Sequence, residues 1–385
     1  MKFKRVFLIV MDSLGVGEAI DANNYGDTGA NTLGHILENN NVFIPNLKKL
    51  GFLNTLNMND EEKDAYYTIA RPTNPGKDSL DGHYEIVGIP NERPFKTYED
   101  TFPRELLEEI ARSIKMPLIG NKNINGEKII EILGDRHLET KALIVYTSNG
   151  SNLKIAAHED VLPVNELYDI CEKVRQITAN SEWKVGRVVA KPFVGKNGNY
   201  RFIKDSKDFA LDPPTKSVMD SLKENKYNVI ALGKINDCFN SHGITKIIKT
   251  KSNIDGLNKL NDIMEKKFTG LCICNLSDFD SDYAHKKDIE GYARAIEEFD
   301  VEIPLIINKL NNDDLLIITA DHGCDPTLSG NHTRENVPVI IFGRNFKTPK
   351  RLDVLETMAD IGATIADNFE VQAPLIGKSF LDKLN

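Results

Sequence analysis

Apolar runs of strand length recur along this chain, with segments of helical period between them. Strands are predicted at 5–11, 142–147, 186–191, 227–232, 270–275, 314–319 and 338–342. Helices are predicted at 45–50, 104–114, 127–133, 165–178, 215–224, 255–266, 291–309 and 354–369. In 291–309, Tyr292, Ala295, Ile296, Phe299, Ile303 and Ile306 fall near a 3.6-residue repeat. Strands alternating with helices point to a mostly parallel sheet covered by helices.

Polar residues close three of the apolar runs. Asp12 ends the run 6–11, Asp280 and His285 follow 271–276, and Asp321-His322 closes 315–320 with His332 ten residues on. A lone Asp after a strand commonly serves a turn or a helix cap, and His332 sits in a polar stretch that suits a surface histidine. Together the six carry more, because in open α/β sheets the edge where strands end carries the chemistry. Three carboxylates and three imidazoles can hold two divalent cations, and that mixture suits Mn or Zn better than Ca. Two such ions roughly 4 Å apart could clamp the attacking and leaving oxygens of phosphoryl or sulfuryl transfer.

Because these residues lie near the beginning and in the last third, the middle is expected to be an insertion. The Pro/Gly/Asn-rich stretch near 88–96 and Asp212-Pro213-Pro214 mark its boundaries. That gives a core of 1–94 plus 214–385 and a cap of 95–213, a candidate for closing over the site and excluding water.

Composition narrows the function. The 385 residues fit two domains, and a net charge of −9 with no basic stripe argues against a nucleic-acid partner. No apolar stretch approaches membrane-spanning length. The apolar N-terminal run stops at Asp12, shorter than the apolar region of a secretory leader. Five scattered cysteines form no framework and suggest a reducing compartment, so a cytoplasmic location is expected.

A candidate nucleophile lies in Gly76-Lys77-Asp78-Ser79-Leu80-Asp81-Gly82-His83-Tyr84-Glu85, a polar loop leading into a possible helix. Ser79 could simply cap that helix. Alternatively its metal-activated oxygen attacks phosphorus and carries the phosphoryl group, favoured there by the helix N-terminus. His83 could orient the loop, but a structural hydrogen bond is the role expected of it. Gly15-Val16-Gly17 imitates a dinucleotide fingerprint, but position 20 is Ile where Gly or Ala is needed.

These motifs resemble the bacterial phosphopentomutases (phosphodeoxyribomutases) of the alkaline phosphatase superfamily. The likeness runs through Leu8-Ile9-Val10-Met11-Asp12-Ser13, Asn31-Thr32-Leu33-Gly34-His35, Gly76-Lys77-Asp78, Ile144-Val145-Tyr146-Thr147-Ser148, Pro192-Phe193-Val194-Gly195, Thr319-Ala320-Asp321-His322-Gly323, His332-Thr333-Arg334-Glu335 and Asp360-Ile361-Gly362-Ala363-Thr364. It implies an alkaline-phosphatase-like three-layer α/β core with a mostly parallel sheet and an inserted smaller α/β cap. It also implies two Mn ions on Asp12, Asp280, His285, Asp321, His322 and His332, the six residues that spacing had already grouped. The implied activity interconverts (deoxy)ribose 1-phosphate and (deoxy)ribose 5-phosphate through a phosphorylated enzyme, primed by a sugar bisphosphate. The implied partner is a small-molecule sugar phosphate.

The departures from the family bear on substrate. The family nucleophile is Thr in Gly-Lys-Asp-Thr-Met-Thr-Gly-His-Trp-Glu; here it is Ser79, with Asp81 and Tyr84 also changed. Ser keeps the hydroxyl but loses the β-branch that restricts χ1, and Asp81 adds a negative charge two residues on. After Tyr-Thr-Ser the family has Ala-Asp, whereas this chain has Asn149-Gly150 after Ser148. Lys191 replaces an Arg, giving up bidentate phosphate binding, and Ser206 aligns with a second Arg. Lys234 is retained. Substrate contacts are thus expected at Ser148, Gly150, Lys191, Ser206 and Lys234. Rival readings are a mutase for another sugar phosphate and a hydrolase in which water accepts the phosphoryl group.

Overall fold

The computed structural model describes residues 1–58, 63–148, 151–179 and 182–385. They divide into two compact units, Met1–Pro94 with Pro213–Asn385, and Phe95–Asp212. The architecture is mixed α/β, with a larger and a smaller sheet.

Thirteen strands are numbered along the chain among the described residues. The larger unit holds β1 (Arg5–Met11), β2 (Tyr66–Ala70), β9 (Asn228–Leu232), β10 (Lys246–Ile248), β11 (Gly270–Leu276), β12 (Asp314–Thr319) and β13 (Val337–Phe342). The smaller holds β3 (Leu118–Asn123), β4 (Leu143–Thr147), β5 (Asn152–His158), β6 (Arg187–Lys196), β7 (Asn199–Phe202) and β8 (Lys207–Ala210). The larger sheet runs β10-β9-β11-β1-β12-β13-β2. Its five strands from β10 to β12 are parallel, and β13 and β2 close the edge antiparallel. Every residue of β1, β11 and β12 is buried. Alternate side chains point to opposite faces, so burial of all of them means that both faces are covered, which is the three-layer arrangement.

The long helix follows its apolar repeat. Ile289–Lys309 buries Tyr292, Ala295, Ile296, Phe299, Ile303 and Ile306, and Asp288 caps its start by accepting from Gly291 N at 2.8 Å. Two expected helices start later than their apolar residues suggest. Ser217 and Asp220 form a capping box that begins a helix at Val218, not at 215. The segment expected to be helical from 354 begins at Ala359, because Leu355 N bonds Ile69 O at 3.0 Å and lies beside β2. Conversely, the helix expected over 127–133 spans Gly126–Thr140, beyond its apolar repeat.

The smaller sheet is mixed: β3-β4 and β5-β6 are parallel, while β4-β5, β6-β7 and β6-β8 are antiparallel. One face packs Leu153, Ile155, Val188 and Phe209 into a core with Leu106, Ile110, Leu167 and Val174. On the other, Ile144, Tyr146, Ala156 and Phe193 pack on Ile129 and Ile130. All five cysteines are buried free thiols. No helix of the described residues is long and apolar enough to cross a membrane.

One buried ion pair locks the strand starts of the larger sheet. Arg5 and Asp314 face each other in the β1-β12 register, with Nε to Oδ1 at 2.8 Å and Nη2 to Oδ2 at 2.5 Å. Arg5 Nη1 also donates to Met264 O at 2.7 Å and Lys266 O at 2.9 Å. Truncating one partner strands the other charge in the interior. Asp314→Ala is expected to destabilise the larger unit by roughly 3–5 kcal/mol, read as a lowered thermal transition. Adding Arg5→Met should recover much of it; a wild-type melting profile for Asp314→Ala alone would refute this reading.

Candidate metal centre

Strand register brings the polar clusters together. Met11 of β1 pairs with Leu276 of β11, and Val10 with Thr319 of β12, so the three strands end side by side. Asp12 follows β1 directly, and Asp321-His322 follows β12 after Ala320. Beyond β11 the chain forms a wide π-helical turn, Phe279–Ala284, in which His285 N donates to Asp280 O at 3.1 Å. That i→i+5 bond sets Asp280 and His285 on the same side of the turn, with Nε2 3.2 Å from Oδ2. His332 returns on the far side of the 323–333 loop, held by the Gly323–Thr333 bridge.

All six expected residues converge. Donor atoms of Asp12, Asp321 and His322 lie within 4.8 Å of one another; so do those of Asp280, His322 and His332, and those of Asp280, His285 and Cys324. His285 Nε2 and His332 Nε2 are 3.2 Å apart, and His322 Nε2 is 3.4 Å from Asp321 Oδ2 and 3.5 Å from Asp12 Oδ1.

The surrounding hydrogen bonds point lone pairs inward. His322 Nδ1–H donates to Gly323 O and His285 Nδ1–H to Gly330 O, each at 2.9 Å, which leaves Nε2 of both rings as the inward atom. Asn275 Nδ2 donates to Asp12 Oδ2 at 2.8 Å, and Ser13 N to Asp321 Oδ1 at 3.0 Å, so each carboxylate has one oxygen held and one turned to the centre. Asp280 Oδ1 and Asp321 Oδ2 are buried and receive no hydrogen bond among the described residues. His83 Nδ1 comes within 3.1 Å of Asp321 Oδ2, but its hydrogen goes to Ser79 O at 2.7 Å.

Such a concentration of acceptors without donors is unfavourable in the interior unless a cation balances it. Burial opposes the charged form of Asp280 and Asp321, yet the neighbouring histidines hold both well below the usual carboxylate range. Burial and His322 push His332 down, toward the neutral ligand form. Burial also opposes the His322 imidazolium, but Asp321, Asp12 and Asp280 raise its pKa to about 10. A divalent cation would replace that proton as the counter-charge. Burial pushes the Cys324 thiol well above its ordinary range. These residues fit two divalent ions.

Ser79 is not the helix cap. Asp78 is, accepting from Leu80 N at 2.8 Å and Asp81 N at 3.2 Å, which places Ser79 first in the helix Ser79–Ile86 with its hydroxyl uncommitted to capping. Ser79 Oγ lies 3.0 Å from His322 Nε2 and 3.5 Å from Asp12 Oδ1. Gly82 allows this approach, since a Cβ there would meet Asp321 O at 2.0 Å. The glycine pair that imitates a nucleotide loop grips a carboxylate of the same chain instead. Glu335 accepts from Gly17 N at 3.2 Å and from Thr32 N at 2.9 Å, and a Cβ at Gly15 would meet its Oε2 at 2.3 Å.

The remaining expected residues divide between the two units. Lys234 sits at the sheet edge where β9 gives way to the short helix Ile235–Phe239. Ser148, Lys191 and Ser206 belong to the smaller unit. Gly150, with Asn149, lies outside the described residues. Sequence reasoning did not find Asn275, Ser13 or Tyr292, whose hydroxyl meets Ser13 Oγ at 3.1 Å. A polar Asn inside the run 271–276 was the available signal for the first; Ser13 shows itself only through its left-handed φ of 71°.

Comparison with known proteins agrees at the level of the family. The profile described as the metalloenzyme superfamily matches residues 4–373. The chain belongs to that superfamily. Among solved structures, a Pyrococcus horikoshii protein is similar at 15% identity, covering 96% of this chain and 98% of its own, with a TM-score of 0.49. A Leishmania mexicana phosphoglycerate mutase is similar at 12% identity, covering 98% and 97%, with a TM-score of 0.49. The alkaline phosphatase of the Antarctic bacterium TAB5 matches at 14% identity, covering 96% and 99%, with a TM-score of 0.36. Membership of the superfamily carries divalent-metal binding with it.

Metal removal should therefore act on stability. Chelation is expected to lower the melting temperature, and restoring metal at 100 times Kd should return about 2.7 kcal/mol. Asp321→Asn and His332→Ala should each carry less metal by elemental analysis and lose that thermal response. Wild-type metal content in both variants would refute the grouping.

Proposed function

We propose that this protein is a phosphopentomutase-type isomerase, which interconverts (deoxy)ribose 1-phosphate and (deoxy)ribose 5-phosphate through a phosphoserine at Ser79. The observation that carries the reading is the position of Ser79 Oγ, 3.0 Å from His322 Nε2 and 3.5 Å from Asp12 Oδ1 at the first position of a helix. Two divalent ions, Mn by resemblance, would be held by Asp12, Asp280, His285, Asp321, His322 and His332 and would supply Lewis-acid stabilisation of charge on the transferred group.

The chain's own residues do the rest. Phosphorylated from the bisphosphate primer, Ser79 gives its phosphoryl group to the free hydroxyl of the sugar monophosphate: the Oγ–P bond breaks as the sugar O–P bond forms, and the proton of that hydroxyl passes to Oγ. Ser79 Oγ then attacks the other phosphate of the bisphosphate; its proton passes to the departing sugar oxygen, and the phosphoserine is restored. The N-terminus of Ser79–Ile86 favours the phosphoserine dianion. His83, buried, donates from Nδ1 to Ser79 O at 2.7 Å, a structural hydrogen bond within the same helical turn.

Lys191 and Ser206 in place of two arginines favour a second reading, a mutase for another sugar phosphate. One assay separates these readings from hydrolysis. Metal-loaded protein, primed with a ribose bisphosphate, is given ribose 1-phosphate, and ribose 5-phosphate and free phosphate are quantified together. The expected outcome is ribose 5-phosphate with little free phosphate, lost by roughly 10⁴-fold or more in Ser79→Ala at unchanged metal content. Free phosphate without isomerised sugar would make the protein a hydrolase. Neither product would move the test to a panel of other sugar phosphates.

A further inference from the structure

Two residues after His332 the larger unit buries a guanidinium. Arg334 is 2% exposed, and each of its five N–H groups has an acceptor in the protein. Nη1 donates to Asn74 O at 2.6 Å and to Gly76 O at 2.7 Å, and Nη2 to Pro72 O at 3.0 Å. The other two hydrogens go to Asp21, from Nε to Oδ1 at 3.0 Å and from Nη2 to Oδ2 at 3.1 Å. One side of the fork thus meets a carboxylate, and the other meets three alternate carbonyls of a single loop.

That loop carries the candidate nucleophile. Residues 71–78, between β2 and the helix Ser79–Ile86, belong to no helix or strand, so their backbone groups need partners from elsewhere. Glu85 takes the amides, accepting from Thr73 N at 2.9 Å and Asn74 N at 2.7 Å, and Arg334 takes the carbonyls. Tyr25 adds a hydrogen bond to Pro75 O at 2.7 Å, and its ring centroid lies 4.9 Å from Arg334 Cζ. Arg334 is joined to the metal centre through its own backbone: His332 Nε2 lies 3.5 Å from Asp280 Oδ1, and Thr333 bridges to Gly323. Lys at 334 would not reproduce this, because one ammonium cannot reach a carboxylate on one side and three carbonyls on the other.

We infer that Arg334 is a positioning residue for phosphoryl transfer, setting Ser79 against the metal centre by tying the 72–76 loop to the segment that carries His332. The inference rests on the proposed phosphoserine mechanism and adds to it a group that acts through Ser79. Ser79 Oγ lies 3.0 Å from His322 Nε2, and a loop released at Pro72, Asn74 and Gly76 lets that separation drift. Misplacing a reacting atom by about 1 Å costs roughly 100-fold in rate. The metal-facing residues keep their own hydrogen bonds, to Gly323 O, Gly330 O, Asn275 Nδ2 and Ser13 N, so the loss falls on the transfer step.

The full, metal-loaded chain is compared as wild type, Arg334→Lys and Asp21→Ala. Phosphoserine formation at Ser79 from a ribose bisphosphate is followed by peptide mass, and isomerisation of ribose 1-phosphate gives kcat and KM. Arg334→Lys is expected to slow both steps roughly 100-fold at unchanged KM and metal content. Asp21→Ala changes a half-buried carboxylate and leaves the carbonyl contacts in place; it should lower kcat roughly fivefold at unchanged KM. Wild-type kcat in Arg334→Lys, even with a lowered melting temperature, makes Arg334 a purely structural residue and overturns the inference. A defect that lies in KM or in lost metal overturns it too. If Arg334→Lys does not fold, Asp21→Ala decides, and wild-type kcat there overturns the inference. Wild-type protein that phosphorylates Ser79 without isomerising the sugar fails the isomerase reading alone, and the phosphorylation rates still test Arg334. No phosphoserine in the wild type overturns both.

Discussion

Pairing along β1 sets where the chemistry falls. Because β11 and β12 align with it residue for residue, their ends deliver Asp12, the Asp280–His285 turn and Asp321-His322 to one edge. A shift of one residue in either pairing would turn that strand's side chains to the wrong face and carry its acidic residue out of reach. The Arg5–Asp314 pair at the opposite end of the strands resists such a slip between β1 and β12, since it can form only in the observed register. Burial on both faces adds to the constraint, because every apolar side chain of these strands has a place to fill. The position of the site is thus fixed from the far end of the sheet as well as from the site itself.

The same constraint explains what could be read from the chain. Strands with a continuous apolar run, such as 314–319, and the helix 291–309 were legible because burial writes itself as such a run or as a 3.6-residue period. The six converging residues were legible as a group, because polar residues gathered after three such runs mean more together than any one of them does alone. Short elements left no comparable trace. β7 and β8 have four residues each and are largely half-buried or exposed, so their periodicity is too brief to stand out. β2 was missed for another reason: alternate half-buried residues in Tyr66–Ala70 dilute its pattern at the antiparallel edge. Contacts that aim the site, such as Asn275 on Asp12 and Glu335 on the Gly15–Gly17 turn, link residues hundreds of positions apart and have no local signature.

The two units manage charge differently. In the larger, lone pairs converge and hydrogen-bond donors are withheld, an arrangement that favours cations. In the smaller, Arg187 pairs with Asp208 across β6 and β8, and the apolar cores lie on the two faces of the sheet.

Asp81 tests this logic from inside the site. A carboxylate two residues after Ser79 would repel a phosphoryl group carried there. In the fold, Oδ1 takes a hydrogen bond from Asn91 Nδ2 at 2.5 Å, and Oδ2 lies over Gly76, where a Cβ would come within 1.6 Å of it. The charge is turned toward the 74–76 loop, and glycine at 76 provides the room. Asp81 also sits in the first helical turn, where negative charge offsets the dipole. That makes it a competitor for the same positive helix end that would hold the phosphoserine. If Ser79 carries the proposed phosphoryl group, that group would lean more on bound cations for its stability than one beside a neutral residue would, and it would be correspondingly easier to transfer onward, as a carrier in the proposed mutase cycle requires.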